Sequence, residues 1–68
     1  MKANHENTKL TSVKILKEIY SKFKRVSFDS NMTLHKLVNR SLDNYINDRE
    51  YRRTMNEYTA LEASGSQF

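Results

Sequence analysis

The chain has no cysteine, no proline and no tryptophan, and its one glycine, Gly65, lies near the end. Without cysteine there is no disulfide and no thiolate metal site. His5 and His35 have no second ligand at a metal-like spacing, so no metal and no cofactor is expected. A single late glycine excludes a glycine-rich phosphate loop. No cysteine nucleophile, paired-carboxylate site or Ser-His-Asp arrangement is supported by the spacing, so an enzyme is not expected. No apolar run approaches the roughly 18 residues that cross a membrane. The polar start, residues 1–8, lacks the apolar segment of a secretory signal, and a cytoplasmic location is expected. The sequons at Asn31 and Asn39 are therefore read as chance.

What remains is short and basic. A domain of 68 residues buries only roughly 60% of its unfolded surface, so it needs a further source of stability. With disulfide and metal excluded, oligomerisation is the remaining common route. The net charge of +4 is unevenly distributed. Residues 1–40 hold nine Lys or Arg against three Asp or Glu, a balance of +6, while residues 41–68 hold three against five, a balance of −2. Such polarity suits one surface turned to a polyanion and another turned away from it.

Residues 1–8 show no apolar pattern and are expected to form a flexible arm. Residues 9–15, Lys-Leu-Thr-Ser-Val-Lys-Ile, alternate as a strand does. Thr11, Val13 and Ile15 share one face; Leu10, Ser12 and Lys14 share the other. A lone strand leaves its backbone groups unpaired and no second strand follows. The same strand of another copy, antiparallel about a two-fold axis, is the expected partner.

Residues 16–29 carry a helical stripe of Leu16, Ile19, Tyr20, Phe23 and Val26, with Phe28 closing the apolar end. Lys22, Lys24 and Arg25 form a solvated face. Asp29-Ser30-Asn31 is a break, with Asn31 as the left-handed residue. A second helix is predicted over residues 34–47 from Leu34, Leu37, Val38, Ser41, Leu42, Tyr45 and Ile46. Thr33 is its N-cap and Met32 a staple onto Leu37. Residues 48–62 are read as a third, shorter or fraying helix with Tyr51, Met55, Tyr58 and Glu62 on a face. Arg49, Arg52 and Arg53 with Asp48 and Glu50 read as mixed-charge pairs along it. Residues 63–68 are read as a flexible tail.

The order strand, helix, break, capped helix resembles the ribbon-helix-helix family of Arc- and MetJ-type DNA-binding proteins. The resemblance covers about residues 9–47. It is carried by Thr11-Ser-Val-Lys-Ile-Leu-Lys-Glu-Ile-Tyr20 and Asn31-Met-Thr-Leu-His-Lys-Leu-Val-Asn-Arg-Ser-Leu42. It implies a mainly α protein with one short strand, an intertwined homodimer whose two strands form an antiparallel β-ribbon in the DNA major groove. Leu10, Ser12 and Lys14 then read bases. Lys14 donates to guanine O6 or N7, Ser12 serves either base-pair type, and Leu10 packs on a thymine methyl. Family members more often carry a polar residue at the place of Leu10. Thr33 and the amides of Leu34 and His35, with Lys36 beside them, then clamp phosphate. Val13, Ile15, Tyr20, Phe23, Leu37, Val38 and Leu42 form the dimer core.

These readings point to a sequence-specific DNA-binding regulator, a repressor, with double-stranded DNA and a second copy as partners and higher order on tandem sites. Three alternatives stay open. One is an accessory DNA-binding protein of plasmid partition or relaxosome assembly. Another is an antitoxin or other protein-interaction module, with a protein partner at the C-terminal segment. The third is an isolated helical interaction domain with no DNA role, in which residues 9–15 are simply a linker. Taken alone, Lys14 also suits a solvated residue that discourages edge pairing. Thr33 suits a plain N-cap, and His35 an exposed helix residue. Arg40 suits a surface residue, a phosphate contact or a dimer ion pair.

Overall fold

The row Ile19, Phe23 and Ser27, spaced by four, gives the first helix its inner edge. Ile19 and Phe23 are half-buried, and Ser27 is the one buried residue among those described, at 8% exposure. The computed structural model describes residues 7–67, which form four helices: α1 Lys17–Ser27, α2 Leu34–Asn47, α3 Arg49–Asn56 and α4 Leu61–Ser64. Most of the arm expected over residues 1–8 lies outside the described residues.

Helix α1 has Leu16 at its N-cap position with φ −57° and ψ 133°, and no side chain caps it. It ends in a turn in which both the Ser30 amide and the Ser30 hydroxyl donate to the Ser27 carbonyl, each at 3.2 Å. Asn31 then takes the left-handed conformation, φ 57°, which a short polar side chain tolerates. Phe28 does not close an apolar end, since it is 79% exposed.

Helix α2 runs over the residues that the periodicity marks. The Thr33 side chain accepts from the Lys36 amide at 3.1 Å, the bond of an N-cap. Asp48 ends α2 and begins α3. Its N–H donates to the Asn44 carbonyl at 2.7 Å, and its Oδ1 accepts from the Tyr51 amide at 3.1 Å. The joint between the two helices is thus one residue long. Arg52 braces it with Nε on the Tyr45 carbonyl (2.9 Å) and a terminal nitrogen on the Ile46 carbonyl (2.6 Å). The Tyr45 hydroxyl donates to Asn56 Oδ1 at 2.6 Å from the other side.

Three expectations are corrected. First, there is no strand and no sheet among the described residues, so the fold is not a ribbon-helix-helix with a β-ribbon but a small helical one. Residues 9–15 have no regular structure, and no backbone hydrogen bond joins them to another described residue. Alternation specifies the faces of a strand only where a ladder partner fixes the pleat, and the described residues contain no such partner. Leu10 is 99% exposed and Val13 70%.

Second, the helix read over residues 48–62 is the shorter α3, and a separate α4 follows it. The Glu57 amide is shared between the Arg53 and Met55 carbonyls, Glu57 leaves helical geometry, and the chain runs irregularly to Ala60. A shared, tightening amide is a common way for a last turn to close, and Tyr58 and Thr59 that follow are weak helix formers.

Third, residues 63–67 are not a loose tail. Gly65, at φ 73°, ends α4 in the left-handed conformation. The Ser66 amide reaches the Leu61 carbonyl at 2.8 Å and the Gly65 amide the Glu62 carbonyl at 3.1 Å. That pair of bonds is the Schellman closure.

No hydrophobic side chain among the described residues is buried. The accessible surface is 6876 Å², whereas a folded monomer of 8.1 kDa exposes about 4,500 Å² by the size law. The radius of gyration, 13.8 Å, likewise exceeds the about 11 Å of a compact domain of this length. The helices are well formed locally, but their apolar faces have too little of the same chain to pack against.

Candidate nucleic-acid interface

Three pieces of chain meet at one open groove of about 530 Å³. Val13 and Ile15 come from the irregular segment, Lys17, Tyr20 and Ser21 from the first turns of α1, and Leu34 from the start of α2. Lys14 does not line it, nor do Leu10 and Ser12; these three base-reading candidates are exposed.

The α2 N-terminus borders the same groove through Leu34. The Lys36 amide is taken by the Thr33 side chain and the Leu37 amide by the Thr33 carbonyl. The amides of Leu34 and His35 have no acceptor among the described residues. Two free N–H groups at the positive end of a helix suit an anion. Lys36 in that first turn opposes the helix dipole, and its Nζ turns back to the Asn31 carbonyl at 3.3 Å. The left-handed turn before α2 thus gives this cation a partner within the chain.

The remaining cations divide into engaged and unengaged. Lys22 lies 3.7 Å from Glu18, Lys24 sits 5.8 Å from the Tyr20 ring centroid, and Arg53 meets Glu50 at 2.8 Å. Lys9, Lys14, Lys17, Arg25, Arg40 and Arg49 have no ion pair or side-chain hydrogen bond among the described residues. Five of these six precede residue 41, on the basic half of the chain.

The dimer-core candidates do not assemble within one chain. Phe23 is half-buried; Val13, Ile15, Tyr20, Leu37, Val38 and Leu42 are exposed. Val38, Leu42 and Ile46, spaced by four, make an unpartnered stripe on α2. Residue patterns indicate neither the Arg52 fork nor the contact of Gly65 with Leu16. Arg52 does not form one of the mixed-charge pairs expected of it and serves the carbonyl end of α2 instead. The available signal was its position four residues after Asp48, where an arginine can reach back past an N-cap to the preceding helix.

Among the described residues no group of three His, Cys, Asp or Glu side chains could hold a metal. No helix there is long and apolar enough to cross a membrane. Comparison with family models, curated proteins and solved structures finds no match. The functional reading therefore stands on the residues and their geometry alone.

Proposed function

We propose that the protein is a cytoplasmic, homodimeric, sequence-specific DNA-binding regulator that acts as a repressor. One observation carries the reading. Unengaged cations of the basic half accompany an unpaired backbone segment, and that segment meets the α2 N-terminus, with its two free amides, at a common groove. Phosphates supply most of the affinity through Lys9, Lys17 and the Leu34 and His35 amides, next to Thr33 and Lys36. The segment brings Ser12 and Lys14 to base edges in the major groove, Lys14 at guanine and Leu10 against a thymine methyl. The second copy supplies cover for the exposed apolar faces.

A duplex enriched from a random pool tests this, with fluorescence anisotropy at two salt concentrations against a scrambled control. Affinity falls steeply with salt for both duplexes. Lys14→Ala weakens binding to the enriched duplex by about 1–3 kcal/mol and leaves the dimer intact. If the variant loses affinity equally for both duplexes, Lys14 contacts phosphate and the base-reading assignment fails. If the wild type shows neither preference nor salt dependence, the DNA reading fails.

A further inference from the structure

The C-terminal turn and the start of α1 are 49 positions apart in sequence, yet they touch. A Cβ placed on Gly65 would lie 2.8 Å from Leu16 Cγ, 3.2 Å from its Cδ1 and 3.5 Å from its Cδ2. The Leu16 isobutyl group therefore covers the bare face of the Gly65 Cα. The turn that presents this face is stiffened by more than its Schellman bonds. Ser64 Oγ lies 2.6 Å from Ser66 Oγ and donates to the Leu61 carbonyl at 3.2 Å. Ser64 and Gly65 are half-buried, although they stand almost at the end of the chain.

Leu16 is equally particular on its side. It occupies the N-cap of α1 without a side-chain cap, and its carbonyl accepts the Tyr20 amide at 2.9 Å. Everything immediately before it, residues 9–15, lacks backbone hydrogen bonds to other described residues. The direction in which that basic segment leaves α1 is thus set at Leu16.

We propose that residues 61–66 form a clasp that seats Gly65 on Leu16, holds the first turn of α1 in place of an N-cap and restrains the root of the basic segment. The chain ends are then energetically coupled. Whatever displaces the C-terminal turn loosens residues 9–16, and whatever orders those residues favours the seated turn by the same factor. The clasp needs no DNA to form, because it consists only of contacts within the chain.

Gly65 has two separable reasons to be glycine. Its φ is left-handed, which asparagine also tolerates. Its Cα is covered by Leu16, which no side chain tolerates without displacement. Gly65→Asn therefore isolates the second reason. Amide exchange in the full-length protein is the readout. In Gly65→Asn, the amides of Tyr20, Ser21 and Lys22, the first that α1 protects, exchange about ten-fold faster, while those in the middle of α2 hold. Leu16→Ala gives the same acceleration, and Gly65→Asn adds nothing to it in the double variant. Unchanged exchange at Tyr20–Lys22 in Gly65→Asn overturns the clasp, as do additive effects in the double variant. A measurement on the unaltered protein guards against variants that fail to fold. Leu16 methyl protons show a nuclear Overhauser effect to the Gly65 α-protons, and its absence equally overturns the proposal.

Discussion

Leu42→Glu abolishes self-association and, with it, the concentration-dependent part of thermal stability. Leu42 sits between Val38 and Ile46 on the outer stripe of α2, at 58% exposure within one chain. In the single chain a glutamate there meets water and keeps good helix propensity, so α2 itself survives. In a dimer that covers the stripe, each copy contributes an unpaired carboxylate to an apolar contact, at about 3–5 kcal/mol for each uncompensated buried charge. A two-fold interface doubles the cost. Sedimentation equilibrium measures the association directly. Melting across a hundred-fold range of protein concentration measures its linkage to folding. The wild-type Tm rises with concentration, and that of the variant does not. A dimer that persists in Leu42→Glu would move the interface off this stripe, and a wild-type Tm independent of concentration would mean that no second copy is needed.

The other large effect is expected at the α2–α3 corner. Arg52→Met keeps the length and most of the apolar stem but removes both bonds to the Tyr45 and Ile46 carbonyls. Hydrogen bonds from a charged donor contribute about 1.5–3 kcal/mol each when well shielded. These are partly solvated, so a loss of about 2 kcal/mol for the pair is expected. In a domain this small, that is a drop in Tm of more than about 8 °C. Arg52→Lys tests geometry, since an ammonium group cannot span two carbonyls as a planar fork does, and it recovers less than half of the loss. If Arg52→Lys is as stable as wild type, charge at the end of α2 matters and the fork does not. If Arg52→Met is neutral, Asp48 and the Tyr45–Asn56 bond hold the corner alone.

The parts of this molecule that local chemistry controls were legible in the residue pattern. Thr33 before a three-and-four stripe marks the start of α2, because the cap and the apolar face are both encoded within one turn of each other. Asn31 marks the left-handed break for the same kind of reason. Residues 9–15 were misread because their alternation states which faces a strand would have, and a strand also needs a neighbour. Nothing within seven residues supplies one. The clasp is invisible for the opposite reason: Gly65 and Leu16 are each unremarkable where they stand, and only the closed path of the chain brings them together. The candidate site was legible as composition, in the basic first half. Its geometry was not, because the shared groove depends on how α1 and α2 are set around the Ser27–Asn31 turn.

The bare peptide groups of residues 9–15 also have a meaning for the life of the chain. A protease needs a stretch it can draw into an extended strand, and most of a helical protein must first be opened to offer one. Here that stretch is already open, with Lys9 and Lys14 in it and no backbone hydrogen bond to another described residue. A partner that lies along it hides the first place of cleavage. A chain occupied along that stretch would then resist cleavage longer than a free one.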